Sequence, residues 1–574
     1  MSSMAALLLA NRGIGTAQEA ATYFHPTLQA LHDPFLFRPM PQAVEAIMEA
    51  LSEEKPIRII GDYDQDGVAA TVILVKGLRY LAAGLGQDPF RAVSYQIPDR
   101  IIDGYGINPR MVEEADREGV GLIVTCDNGV AAFEALEEAQ KRGLPVILTD
   151  HHQIHEEAGR EILPPCVACL NPHSRAAGYP FPDLCGAGVA FKLIQALFQE
   201  LGEDQDMLQP LLAYAALGTV CDLVPLQGEN RVLVALGLSE INQKRDPGLM
   251  ALLLHCDWTG PVTTYTVGFV IGPCINASGR LLTARLGVEL FLEEDAEKRD
   301  QYAQELVSLN RERQQMTRAG EERALQLLTE EKEEPVVALY LPDLHESICG
   351  LIAGRVKEAI NRPCLVFTDA EEGKGEGALL KGSGRSIEAY DMFHALARHQ
   401  DQYVAFGGHA MACGITIRKK DFTRLRTCWQ EESGLVPADF QEKLYLDAPV
   451  RLDQIGAALM RILDHMAPFG MANPKPVFGA KGLSIRRFRL VGQKQNVLQL
   501  QVEEAGRLMN AILFQADQKL EAFRRAGWGE LLDALLAGED VPCTVDLCFQ
   551  VDWNEFRGQK TLQLRLKDLR FHTV

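Results

Sequence analysis

The chain has 574 residues, with 57 Lys plus Arg against 78 Asp plus Glu and a net charge of −21. That length exceeds what a single core fills and implies about two to four domains, while 47% apolar and 24% charged residues exclude disordered and collagen-like classes. The acidic balance excludes a surface that coats polyanions everywhere, and with no uninterrupted apolar run of about 18 residues no membrane span is expected.

The opening MSSMAALLLANRG has no basic segment ahead of its apolar run and no clear cleavage site, so it is not read as a secretory signal and the chain is expected in the cytoplasm. The 13 Cys are odd in number and scattered through apolar runs, which suits reduced, buried thiols.

From residue 57 to about 150 one pattern repeats: a short apolar run, a polar or acidic turn, then a helical stretch. Arg58-Ile59-Ile60 leads into Asp62, Ala92 to Ile97 into Pro98-Asp99-Arg100, Gly121 to Thr125 into Asp127, and Pro145 to Leu148 into Asp150. Ala131 to Arg142 reads as a helix stopped at Gly143. Strands alternating with helices predict a parallel α/β sheet, in which ligands gather beyond the carboxyl ends of the strands. Cys166-Val167-Ala168-Cys169 with His173 and Cys185 has zinc-like spacing but no second CxxC, so a structural segment is preferred. Gly186-Ala187-Gly188 follows no clear strand and is read as close helix packing rather than a dinucleotide loop.

Leu208 to Val220 is an apolar helix that delivers Asp222. Residues 293–334 are densely charged and predict a long exposed helix linking two lobes. An α/β pattern restarts at 336, with strands at Val336 to Leu341 and Pro363 to Thr368 around a helix from Cys349 to Ile360. From about Pro476, strand-like runs at Asn496 to Val502, Val541 to Val551 and Thr561 to Leu566 fit a small β-barrel of the kind that binds single-stranded nucleic acid. Lys481, Arg486, Arg487, Arg489 and Lys494 occur there without an acidic residue, and Arg557, Lys560 and Arg565 follow. Such a run suits a phosphate backbone or a solvated strand face.

Asp62, Asp64 and Asp66 alternate directly after the first strand. On an extended backbone they point to one side, where three anions repel unless cations neutralise them. A calcium loop would need Glu at its twelfth position, where Ile73 stands. Asp127-Asn128-Gly129, Asp150-His151-His152 and Asp222 add carboxylates and imidazoles suited to two manganese or magnesium ions. Such a pair supports phosphoester hydrolysis. Lys381-Gly382-Ser383-Gly384-Arg385-Ser386 and Gly407-Gly408-His409-Ala410 offer donors for a phosphate, although each stretch alone reads as a turn.

Asp62 to Gly67, Asp127 to Gly129, Asp150 to His152 and Gly218 to Asp222 resemble the four motifs of the DHH phosphoesterase superfamily, and Lys381 to Ser386 with Gly407 to Gly414 resemble its DHHA1 domain. Ile97 to Arg100, Gly104-Tyr105-Gly106, Asn276 to Arg280, Pro468-Phe469-Gly470, Asn473-Pro474 and Asn554 to Gly558 resemble the RecJ family within it. The resemblance implies a single-strand-specific exonuclease acting from the 5′ end in DNA recombination and repair. It implies Asp64, Asp66, Asp127, His151 and Asp222 as metal ligands with Asp127 bridging, Asp62 and Asp150 in support, and His152 facing the scissile phosphate. It also implies Arg280, Ser383, Arg385, Gly408 and His409 as phosphate-binding residues, an OB-fold with Arg486, Arg487, Arg489 and Lys494 on DNA, and a DNA channel between the lobes. A monomer working with single-strand-binding protein and a helicase is expected.

The implied domains are an N-terminal extension at 1–40, a DHH domain at 41–290, a connecting helix at 291–335, a DHHA1 domain at 336–425 and a C-terminal region with the OB-fold at 426–574. Ser347 stands where the family usually has Gly. Two other readings compete: a DHH phosphodiesterase for short oligonucleotides or cyclic dinucleotides, and a noncatalytic scaffold of the same fold.

Overall fold

The computed structural model describes residues 2–100, 103–330, 334–370, 378–556 and 558–573, in two compact units. The larger unit comprises Pro34–Asp222 and Gly237–Lys443. Its first sheet contains β1 (Ile57–Ile60), β2 (Val93–Gln96), β3 (Leu122–Cys126), β4 (Val146–Thr149) and β5 (Ala168–Leu170) in the order β2-β1-β3-β4-β5. All four pairings are parallel. Every residue of β3 and β4 is buried, as expected of strands covered on both faces, so the chain can turn polar only where the strands end.

Helix α1 (Gln65–Gly84) follows β1 and is apolar nearly all round because it runs through the core. Its mean hydropathy of 1.3 makes it the one helix among the described residues long and apolar enough to cross a membrane, yet 72% of that window is buried within the fold. The absence of an uninterrupted apolar run did not reveal this helix, because Lys76 and Arg79 break it. Helices α2 (Gly186–Leu201) and α3 (Gln209–Cys221) pack against α1.

Helix α4 (Gly272–Leu281) precedes α5 (Ala296–Glu330), which spans 35 residues. The expectation of an exposed connector needs correction: Ala303, Leu306, Val307, Asn310, Thr317 and Ala324 are buried at helical spacing. The stripe is inconspicuous in the sequence because four of these six residues are small or polar. A second sheet contains β6 (Val337–Tyr340), β7 (Cys364–Asp369), β8 (Leu379–Arg385), β9 (Ala405–His409) and β10 (Ala412–Arg418), in the order β9-β10-β8-β7-β6. Only β6 and β7 pair in parallel, and α6 (Cys349–Ile360) covers one side.

The smaller unit comprises Met1–Asp33, Leu223–Leu236 and Leu444–Val574. Strands β11 (Phe478–Val491), β12 (Val497–Glu504), β13 (Arg507–Leu513), β14 (Cys543–Phe556) and β15 (Gln559–Thr573) run in the order β11-β12-β13-β15-β14, and β14 returns to β11. This is a closed five-stranded barrel with an OB-type order. Leu498, Leu500 and Val502 alternate inward against Ala511, Val545 and Leu564. Residues 1–40, set apart as an extension in the sequence reading, supply Leu8, Leu9, Ala20 and Tyr23 to this core. The Arg231 guanidinium lies 3.6 Å from the centre of the Tyr23 ring.

Candidate metal centre

The centre forms at the carboxyl ends of β1, β3 and β4. Asp64 caps α1: its Oδ1 accepts from Asp66 N at 2.9 Å and Gly67 N at 3.1 Å. Asp66 therefore lies in the first helical turn and not on an extended backbone. The three aspartates split instead of lining one side. Asp62, Asp64 and Asp127 bring carboxylate oxygens within 4.8 Å of one another, and Asp66, His151 and Asp222 form a second such group.

Asp66 is held by the first turn of α2, where Gly186 N and Ala187 N donate to Oδ2 and Oδ1 at 2.6 and 2.9 Å. Close approach is the reason for glycine here. A Cβ on Gly218 would stand 2.2 Å from Asp66 Oδ1, and one on Gly186 would stand 2.5 Å from Asp127 Cβ.

Asp127 takes a left-handed φ of 62° at the end of β3, and its carbonyl accepts from Tyr105 OH at 2.9 Å. Asn128 ties β3 to β1 by donating to Ile60 O at 3.1 Å. Asp150 Oδ1 accepts from His151 N, His152 N and His152 Nδ1 at 2.7, 3.0 and 2.7 Å, and Oδ2 accepts from Val130 N at 2.8 Å. His152 Nε2 stands 3.0 Å from Tyr105 OH. His151 Nε2 lies 3.0 Å from Asp127 Oδ1, 3.7 Å from Asp222 Oδ2 and 3.8 Å from Asp66 Oδ2. Asp127 and His151 thus join the two groups.

Burial, then the neighbouring carboxylates, pushes Asp62 and Asp127 well above the ordinary range, Asp66 up to about 6 and Asp222 up to about 8. His151 is pushed down to about 4 by burial and by His152. Burial also opposes the charge on His152, but Asp150, Asp222 and Asp62 outweigh it and raise that ring to about 9. Among the described residues, no group donates a hydrogen bond to the buried Asp62 Oδ1 or Asp127 Oδ1. Crowded carboxylates, orphaned oxygens and one uncharged imidazole fit hard divalent cations. Burial raises the nearby Cys185 and Cys221 thiols, and neither belongs to a ligand cluster among the described residues.

A cavity of about 520 Å³ in the same unit is lined by Tyr105, Arg280, His345, Lys381, Ser383 and Arg385, among others. Arg280 is pushed down to about 10, chiefly by burial, and its Nη1 donates to Ser347 O at 2.6 Å. Arg385 Nη1 donates to Ser383 Oγ at 3.1 Å. The wall includes Gly407 but not Gly408 or His409, and His409 is exposed at the end of β9. The Gly-rich stretches are paired strands rather than turns. Gly382, Gly384 and Gly408 serve close packing, since a Cβ on Gly382 would stand 2.5 Å from the Phe367 ring, whereas one on Gly407 would meet nothing within 4 Å.

Residues 56–219 match the DHH family, N-terminal domain, residues 333–430 the DHHA1 domain, and residues 446–568 the RecJ OB domain. The chain is 33% identical over 584 residues to the single-stranded-DNA-specific exonuclease RecJ of Dickeya dadantii, covering 98% of this chain and 95% of that one. It belongs to the RecJ family. Thermus thermophilus RecJ in complex with Mn2+ has a TM-score of 0.79 at 28% identity, covering 99% of this chain and 76% of that one. The same protein in complex with Mg2+ has a TM-score of 0.71 at 26% identity, covering 99% and 74%.

The RecJ OB match covers the basic run on β11. A β-bulge between Ile485 and Arg487 leaves Arg486, Arg487 and Arg489 all exposed, and Lys494 sits in the following turn. Arg486 pairs with Glu503 at 2.5 Å and Arg489 with Gln499 at 2.7 Å. Lys560 lies 5.0 Å from the Trp553 ring and Arg565 5.5 Å from the Phe514 ring; Arg557 lies outside the described residues. The CxxC cysteines belong to no His/Cys/Asp/Glu cluster among the described residues.

Sequence reasoning assigned no role to Tyr105, Asn128 or Asn276. Asn276 Oδ1 accepts from Gln65 N at 2.7 Å and so anchors the start of α1. All three stood inside the motifs that carried the resemblance, and that was the available signal.

Proposed function

We propose that this chain is a metal-dependent exonuclease that degrades single-stranded DNA from the 5′ end, in DNA recombination and repair. The observation that carries the reading is the pair of ligand groups joined at Asp127, with buried carboxylate oxygens that accept no hydrogen bond among the described residues. Asp64, Asp66, Asp127, His151 and Asp222 would hold two Mn2+ or Mg2+ ions, with Asp127 shared and Asp62 beside it. Two such cations would lower the pKa of an attacking water and neutralise charge on the scissile phosphate.

The protein's own groups do the rest. Asp150 fixes both imidazoles through the backbone and the His152 ring. His152, held through Nδ1 by Asp150 and 44% exposed, faces a nonbridging oxygen of the scissile phosphate. Arg280, Ser383 and Arg385 hold a neighbouring phosphate in the cavity, while Gly408 and His409 act farther along the strand. Arg486, Arg487, Arg489 and Lys494 follow the backbone of a longer strand, and the chain works as a monomer in the cytoplasm with single-strand-binding protein and a helicase.

Product analysis on single- and double-stranded DNA labelled separately at each end, with Mn2+, Mg2+ or chelator, tests this reading. Metal-dependent release of mononucleotides from the 5′ end of single strands is expected, abolished in Asp127→Ala. Cleavage confined to di- to pentanucleotides would replace it with a small-substrate phosphodiesterase.

A further inference from the structure

Ser347, where the family usually has Gly, touches two side chains of the cavity. Its carbonyl accepts from Arg280 Nη1 at 2.6 Å. On the other side its N–H donates to His345 Nδ1 at 3.3 Å, and its hydroxyl lies 2.7 Å from the same nitrogen. A ring nitrogen that accepts a backbone N–H carries no proton of its own, so the hydroxyl also donates to it and the ring proton sits on Nε2.

The neighbouring donors are partly committed. Lys381 is paired with Glu346 at 2.9 Å, Arg385 spends Nη1 on Ser383 Oγ and Gly384 O, and Ser383 Oγ donates to Cys413 O at 3.3 Å. His345 lines the same cavity, and among the described residues its Nε2 has no hydrogen-bond partner. A glycine at 347 would keep the backbone N–H bond and lose the shorter one. The ring would then be held at Nδ1 by the 3.3 Å backbone bond alone.

We propose that Ser347 is a positioning residue for the nuclease reaction: its hydroxyl fixes His345 with Nε2–H as a donor to a phosphate of the single strand in the cavity. The proposal rests on the exonuclease reading. Because the contact is made to bound substrate before and during cleavage, its loss raises KM and leaves kcat largely unchanged.

A double-mutant cycle on a short 5′-phosphorylated single strand, at saturating Mn2+, tests it. Ser347→Ala is expected to raise KM about three- to tenfold, the span of one hydrogen bond, with kcat within about twofold. In a His345→Ala background the same substitution is expected to do nothing, and Ser347→Thr is expected to restore the wild-type KM. The imidazole nitrogen shifts of His345, read by NMR, are expected to report the Nε2–H tautomer in wild type and a smaller share of it in Ser347→Ala, where only the longer backbone bond remains. Equal losses in both backgrounds, or an unchanged KM, overturn the proposal. A wild-type protein that cleaves no DNA overturns the exonuclease reading instead, and shows itself before any variant is compared.

Discussion

Asp150 Oδ1 and His152 Nδ1 lie 2.7 Å apart, and the same oxygen takes the backbone N–H of both His151 and His152. Burial opposes ionisation of this carboxyl, yet those bonds outweigh it and hold it below the ordinary range. One buried carboxylate therefore sets the orientation of both imidazoles and the charge on one of them.

Asp150→Asn removes that charge. His152, raised to about 9 in the metal-free protein, is expected to titrate more than one unit lower, measured by NMR of its ring. Turnover at pH 8 is expected to fall about 10- to 100-fold, the usual loss when the partner of a site histidine is removed.

Asp222 and His152 both have folded-state pKa values raised above their ordinary ones, to about 8 and about 9. A raised group stabilises the fold below its unfolded pKa, and that stability is lost as pH rises through the folded value. Metal-free protein is expected to lose Tm steadily from about pH 6.5 to 9, by about 3 °C for each kcal/mol. Below that window Asp222 and Asp66, the latter raised to about 6, still lower the stability as pH rises, while His151, lowered to about 4, opposes them. Saturating Mn2+ is expected to flatten the alkaline fall; scanning calorimetry with metal or chelator across this range measures both arms.

Gly218→Ala places a Cβ about where Asp66 Oδ1 now lies, 2.2 Å away. The carboxylate must leave the α2 amides or the helices must part. Metal affinity, measured by calorimetric titration, is expected to weaken about 10- to 100-fold, with far-UV circular dichroism unchanged.

On the barrel, Arg486 is paired with Glu503, whereas no ion pair of Arg487 is found among the described residues. Arg487→Ala is expected to weaken Kd for a long single strand more than Arg486→Ala does, and to lower the slope of log K against log salt by about 0.7. Fluorescence anisotropy at several salt concentrations reads both quantities; an unchanged Kd and slope in both variants would remove this arginine face from the binding surface.

The strand-then-acid pattern at Asp62, Asp127 and Asp150 was legible because parallel strands buried on both faces can turn polar only where they end. The helix from Cys349 to Ile360 was legible residue for residue, and so was the stop at Gly143. The burial of α5 was not, because alanine, asparagine and threonine can make a packed stripe without a strong apolar period. Nor was the anchoring of Leu8, Leu9 and Tyr23 in the barrel core, since short helices carry no address for a surface more than four hundred residues away.

The sequence by itself determined the donor types, their position at strand ends and the oxygen-rich chemistry they favour, because these follow from residue identity and local periodicity. Only the tertiary structure decided how the aspartates are divided. The capping geometry of Asp64 turns Asp66 into a helix, and the amides of Gly186 and Ala187, 120 and 121 residues away, fix where its carboxylate sits. Contacts between distant segments have no local signature, so they arise only when the helices pack.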